Sequence, residues 1–253
     1  MKKYIHKISI LCFLGVITVS KSFGQMAQSD SSAMQNTTLQ QTTANFYIAI
    51  GQQSRLYNGH EYLPYDRIIK GNALFPLDAE TWVPGEVNYD GFVYKGVPMM
   101  YDIYKDVLVV LLYNHFSMYT LLNERVHDFT FSGHHFVRVN ADSLTNDNSG
   151  ISTGFYDELY GGKTEVLAKR IKTIQNSTNL TISLETYFTS KSEYYLRKGN
   201  TCYKVGSQGS FLNALKDKKP LLQKYIKDNN IKFRQNPEGA MASLAAYYDQ
   251  ISN

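Results

Sequence analysis

The sequence predicts a mainly β (α+β) domain: an antiparallel up-and-down meander of about ten strands, curled or partly closed into a barrel, with C-terminal helices. Three observations carry that expectation. Twenty tyrosines and 13 phenylalanines stand against one tryptophan, and aromatic residues suit a pleated, half-buried surface. Turn dipeptides recur where folding their flanks back gives matched faces. Helical spacing of apolar residues replaces alternation only beyond about residue 208.

The chain begins with a leader pattern. Lys2, Lys3 and Lys7 precede an apolar run from Ile8 to Val19, and Ser22 and Gly24 supply the small side chains a signal peptidase requires. The run is shorter than the ~20 residues that span a bilayer. Residues 1–24 are therefore expected to be a signal peptide and Gln25 the first mature residue, with the protein exported to the periplasm, outer envelope or extracellular space. No membrane span is expected after cleavage. Residues 25–44, rich in Ser, Thr and Gln, read as a disordered polar tether. Residues 45–253 then form a single domain, with helices over about 208–251.

Removing the leader changes the charge. The formal net charge of +4 equals the contribution of Lys2, Lys3, Lys7 and Lys21, and the leader holds no acid. The remainder is balanced, which argues against nucleic acid as a partner. Of the two cysteines only Cys202 follows the leader. An internal disulfide is thus excluded, and a half-buried free thiol is expected rather than a dimer link.

The hairpins can be registered from their turns. Around Asp90-Gly91, Tyr89 faces Phe92, Val87 faces Tyr94 and Glu86 faces Lys95, which leaves one apolar face and one ion pair. Around Gly199-Asn200, Leu196 faces Tyr203 and Tyr194 faces Val205, with Tyr195, Arg197, Cys202 and Lys204 on the other side. Gly161-Gly162 is a weaker turn because Glu158 would face Glu165, and Asn58-Gly59 is weaker again.

Between these lie five segments that read as successive strands: Met99–Tyr104, Val107–Leu112, Phe116–Leu122, Arg125–Phe131 and His134–Val139. Pairing each with the next puts Ile103, Leu108, Leu121 and Val126 in one row. Met100, Leu111, Met118, Phe129 and Phe136 fall on the opposite face. Both faces are largely apolar, so the sheet is expected to be covered twice or to curl around its own interior. Further on, Ser207 and Asp217 are candidate N-caps, Pro220 suits a first helical turn and Asn236-Pro237-Glu238 is a helix start. Leu212, Leu215, Leu221, Leu222, Tyr225, Ile226, Met241, Leu244, Ala245 and Tyr248 recur at helical spacing, so three helices should cover one sheet face. Lys216, Lys218 and Lys219 read as a solvated turn.

Chemistry-bearing patterns are sparse. His60, His115, His127, His134 and His135 stand in no zinc-ligand spacing, and no phosphate loop, dinucleotide fingerprint or serine elbow is present, so no metal or cofactor is expected. Adjacent strand residues face opposite ways, so His134 and His135 cannot share a ligand. The meander register places His127 opposite Arg138, on the face carrying Asp102 and His134. These four form a candidate polar cluster: a base, a cation and a carboxylate. A glycosidase carboxylate pair could be drawn from Asp90, Asp102, Asp157 or Glu158, with no spacing to select it. Asp157 is the oddest of these, since its face also holds Phe155, Leu159, Val166 and Ala168.

The ordered segments NYDG, VPMMYDIYKD, FSGHHFVRV, GFYDELYGGK, KFRQNPEG and AAYYD resemble a group of uncharacterised exported proteins of the Bacteroidota, over most of the mature chain. The resemblance implies a bacterial envelope location and no particular site. Together these readings lead to a non-catalytic ligand-binding module, its partner an unknown ligand or envelope protein. A hydrolase with a site around Asp102, His127, His134 and Arg138 is the alternative, and a structural component of the cell surface is a third.

Overall fold

The computed structural model describes residues 55–76, 81–144, 149–177 and 185–252, together with Thr38, Thr42 and Ile50. Two compact units divide the chain, residues 1–50 and 51–253. In the first, the expected leader lies outside the described residues. Thr38 and Thr42 of the expected tether are helical, and Thr42 Oγ1 donates to the Thr38 carbonyl at 2.8 Å.

In the second unit, turn chemistry sets the first long hairpin. Asp90 and Gly91 both take positive φ (55° and 80°), as a two-residue turn between right-twisted strands demands. Strands β3 (Val83–Tyr89) and β4 (Phe92–Asp102) then pair Tyr89 with Phe92, Val87 with Tyr94 and Glu86 with Lys95, in the expected register. A bulge beside Glu86 lets β4 run on, so the segment expected as a separate strand from Met99 is its continuation. Strands β5 (Val107–Leu111) and β6 (Met118–Thr120) pair Leu111 with Met118 and Val110 with Tyr119, again as expected. Between β4 and β5 the register slides by two residues, placing Tyr101 opposite Leu108. An even slide leaves every side chain on its face.

The meander breaks after β6. Asn123–Arg125 is a 3-10 turn, and β7 (Val126–Phe131) pairs with β3, Val87 opposite Phe129. Two facts explain the departure. Strand β1 (His60–Glu61) already lies on the free edge of β6, with His60 opposite Thr120. The seven-residue β3 also leaves a longer row of backbone groups to satisfy than the three-residue β6. Asn58-Gly59 is accordingly no hairpin turn; it leads from a 3-10 turn at Arg55–Tyr57 into β1.

Strand β8 (His134–Val139) follows β7 with Phe129 opposite Phe136. Strands β9 (Gly154–Gly161) and β10 (Thr164–Ser177) pair with a bulge that sets Leu167 opposite Glu158 and Glu165 opposite Gly161. The like-charge pair expected at this turn is thereby avoided. Strands β11 (Glu185–Lys198) and β12 (Thr201–Val205) pair Leu196 with Tyr203 and Tyr194 with Val205, as expected. Among the described residues the single antiparallel sheet runs β1-β6-β5-β4-β3-β7-β8-β9-β10-β11-β12, with β2 (Leu74–Phe75) against the end of β4.

The sheet curls without closing into a continuous barrel. Tyr101 of β4 packs edge-on against Phe129, Phe136 and Phe155 at 5.2, 5.0 and 6.1 Å. Rings on strands this far apart in the sheet meet only across a concave face. Phe129 and Phe136 thus join Tyr101, not Met100 and Met118 as the meander register placed them. Lys172 N donates to Ile103 O at 3.3 Å and Lys70 N to Thr186 O at 2.9 Å, which tie the end of β4 and the chain near Lys70 to β10 and β11.

Helix α1 (Gln208–Ala214) starts at Ser207 with a capping box formed with Ser210. Asp217 lies inside a 3-10 turn (Lys216–Lys218) and caps nothing; helix α2 (Lys219–Asp228) begins after it, with Pro220 in its first turn. Asn236 Oδ1 accepts from Gly239 N at 2.9 Å to cap α3 (Pro237–Ile251). Phe211, Leu215, Leu222, Met241 and Leu244 pack on Val166, Leu196 and Val205 of the sheet. Leu221, expected in that core, is 45% exposed. The opposite face holds Val139, Leu144, Tyr156, Leu167, Tyr195 and Cys202 in a second core, so this part of the sheet is covered twice. Cys202 is fully buried rather than half-buried, and burial pushes its thiol up to about 11.

Candidate functional site

The four residues of the expected polar cluster are not gathered. Asp102 is fully buried at the end of β4. Its Oδ2 accepts from Tyr62 OH (3.1 Å) and Tyr65 OH (2.7 Å), and its Oδ1 from the backbone N–H of Tyr104 and Lys105 (2.9 Å each). Four donors satisfy the carboxylate, and the Lys105 ammonium stands 4.6 Å over the Tyr65 ring. Burial and the Asp102 bond push the Tyr65 phenol far up, so it stays a donor. Asp102 holds the β4–β5 turn. His127 is exposed on β7, and neither its side chain nor that of Arg138 makes a hydrogen bond or ion pair among the described residues. Since Phe131 pairs with His134 and Asp128 with Val137, His127 lies four residues along the hairpin from His134's partner, about 13 Å away at the usual strand rise.

His134 instead meets Asp157, whose Oδ2 lies 2.9 Å from its Nδ1. Asp157, with a side chain only 2% exposed, also accepts from Arg170 Nε at 3.0 Å. The Arg170 guanidinium reaches Glu238 Oε1 (2.6 Å) and Oε2 (3.1 Å) and Ser192 Oγ (3.1 Å), while Tyr194 OH donates to Glu238 at 2.8 Å. This is a fork-to-carboxylate clamp between the sheet and the first turn of α3. Burial alone would lower the Arg170 pKa, yet its two carboxylates raise it; Arg170 in turn holds Glu238 below the usual carboxylate range. Phe75 packs edge-on against the His134 ring at 4.9 Å. His135 points the other way, to Glu158 at 2.8 Å, so the two adjacent histidines occupy opposite faces as alternation requires.

Asp157 does share its face with Phe155, Val166 and Ala168. Arg170 was legible by the same alternation, two residues past Ala168. Glu238 carries no such signal, because it arrives from a helix far along the chain.

Three clefts differ in how their charges are used. One of about 390 Å³ has Lys198 beside Asp217 at 3.7 Å, and one of about 360 Å³ has Arg197 clamped on Glu165 at 2.6 Å. The third, a groove of about 850 Å³, lies between the start of α1 and the turn before α3. Gly206, Ser207, Gln208 and Gly209 form one wall, and 231–235 with Pro237 the other. Phe233, 7% exposed, plugs into the helical core beside Phe211. The N–H groups of Gln235 and Asn236 close the turn on Lys232 O at 3.0 and 3.1 Å. With Phe233 anchored inward, Lys232 and Arg234 on either side are held at the surface. Among the described residues neither cation has an ion-pair partner, and no carboxylate lines the groove. The segment KFRQNPEG that forms this turn stood out in the sequence only as part of a resemblance and as a helix start; the groove itself was not legible, because the start of α1 supplies its facing wall.

No family model, curated protein or solved structure matches the chain. Among the described residues no group of three or more His, Cys, Asp or Glu could hold a metal ion, and no helix is long and apolar enough to cross a membrane.

Proposed function

We propose that this is an exported envelope protein of bacterial, Bacteroidota-like type whose domain binds a ligand without transforming it. One observation carries the reading: the 850 Å³ groove, whose Lys232 and Arg234 have no ion-pair partner among the described residues, set beside the capped starts of α1 and α3. Its size suits a small-molecule site of ~300–1,000 Å³. Asp102 and Asp157, by contrast, are committed to internal donors that hold turns and helices in place. The groove can be filled to test the reading. A Cβ on Gly206 would meet nothing within 4 Å, so Gly206→Trp should fold and occupy the groove. A metabolite and glycan thermal-shift screen should give ligands that raise the melting temperature of the parent and not of this variant. Ligands that stabilise both equally would place binding elsewhere and defeat the reading.

A second reading, hydrolysis, is favoured by one geometry. A buried carboxylate fixes His134 through Nδ1, and the histidine side chain is 35% exposed, which is how a general base is oriented. His134→Gln should then abolish turnover in an ester, glycoside and peptide screen without altering the melt.

A further inference from the structure

We infer that the groove takes an anionic oligosaccharide, one carrying carboxylate or sulfate groups. The inference rests on the binding reading above and names the ligand class. Charge makes the first selection. Lys232 and Arg234 bring two positive charges to the groove, no acidic side chain lines it, and neither cation is neutralised by a neighbour among the described residues. The two smaller clefts, by contrast, are lined by carboxylates as well as cations, Asp217 and Asp249 in one and Glu165 in the other. The groove is therefore a local positive site on a domain whose sequence beyond residue 24 is charge-balanced.

Position makes the second. A cation on a mobile loop adds backbone ordering to the side-chain entropy lost on binding, whereas this turn's backbone is already fixed from below by Phe233 and across its neck by the bonds to Lys232 O. The guanidinium offers a planar fork for a carboxylate or sulfate, and the ammonium a second point charge.

The other wall selects for hydroxyls. Gln208 on that wall, with Gln235 across from it, presents an amide that both donates and accepts, the group that matches paired sugar hydroxyls. Gly206 and Gly209 keep that wall low: a Cβ at Gly206 meets nothing, and one at Gly209 only Ser207 Oγ at 3.8 Å. Ile231 adds a small apolar surface for the carbon face of a sugar ring. An acidic peptide fits less well. Cationic side chains hold acidic peptides too, but peptide carboxylates do not supply the paired hydroxyls that the Gln208 and Gln235 amides match.

Calorimetry on the full chain tests the inference, with tetragalacturonate and a heparin-derived tetrasaccharide as probes and fully methyl-esterified tetragalacturonate as the uncharged control. At least one charged probe should bind at low salt, weaken severalfold at 0.5 M salt as the screening length shortens to ~4 Å, and bind at least tenfold more tightly than the ester. Lys232→Gln with Arg234→Gln should weaken that binding at least tenfold with an unchanged melting temperature. Equal binding of acid and ester, or a double variant that binds like the parent, overturns the inference. So does failure of both charged probes at millimolar concentration, or preference for an acidic hexapeptide. Gly206→Trp separates the two levels. If the uncharged ester binds and Gly206→Trp abolishes it while the double variant does not, the groove is a binding site and only the anionic assignment falls. If Gly206→Trp changes no binding at all, the groove reading falls with it.

Discussion

Arg170 is the side chain on which the joint between sheet and last helix depends. It neutralises Asp157 on β9 and Glu238 on α3 at once, and both carboxylates lie within direct bonding distance. Removing it leaves Asp157 buried without its charge partner. Arg170→Met should therefore cost about 3–5 kcal/mol, read as a lower denaturant midpoint. Asp157→Leu combined with Arg170→Met should cost less than the single change, because no orphaned charge remains at that position. Glu238 is one-third exposed, and Glu238→Gln should have a much smaller effect. A normal melt for Arg170→Met would show that the clamp contributes nothing to the fold.

Glu193 sets a pH dependence. Bonds from Lys191 and Lys204 hold its carboxyl at about 2, against a usual 4.5. Its folded value is depressed, so its contribution is complete above the unfolded value and is lost as pH falls from about 4.5 towards 2. Glu193→Gln should consequently lower the melting temperature at pH 7. The difference from the parent should shrink steadily over that acid window and vanish only below about pH 2. A difference that stays constant with pH would mean that Glu193 acts through packing rather than charge.

At the scale of elements, hairpins whose turns demand positive φ are the parts most legible from sequence. Gly199 adopts φ +59°, and the strands beside it pair as the turn dictates. Gly199→Val forces a β-branched residue into the left-handed region and should destabilise by about 1 kcal/mol or more. Gly199→Asn should cost less, since asparagine tolerates that region. A Cβ at this position meets nothing within 4 Å, so a loss on Gly199→Val can be assigned to backbone strain. Equal stability of the two variants would exclude it. The β6–β7 junction shows where such reasoning stops. The two residues between the expected strands Phe116–Leu122 and Arg125–Phe131 read as one more turn, yet β1 claims the edge of β6, and β7 crosses to β3. A two-residue strand such as β1 has too little pattern to be seen in advance. The β7–β3 pairing sets Phe129 opposite Val87 and, through β8, brings Phe136 to Tyr101.

For the whole molecule, export is a proposal that mass spectrometry can decide. Ser22 and Gly24 precede the expected cut, so protein recovered from a secreting host should begin at Gln25. A mass that retains Met1–Gly24 on membrane-bound material would mean an uncleaved anchor.

What the sequence determined by itself was whatever depends on neighbours in the chain. Turn dipeptides, alternation and helix caps act over a few residues, so the Asp90-Gly91 and Gly199-Asn200 registers, the β5–β6 pairing and the caps at Ser207 and Asn236 were all readable. Tertiary structure decided the rest: the strand order after β6, the partners of Asp102 and Asp157, and the groove at Lys232 and Arg234. Apart from the Tyr104 and Lys105 N–H groups beside Asp102, these join groups well separated in the chain, and what selects them is the need to pair backbone edges and to neutralise buried charge. Those demands arise only once the sheet has curled and the helices have docked on it.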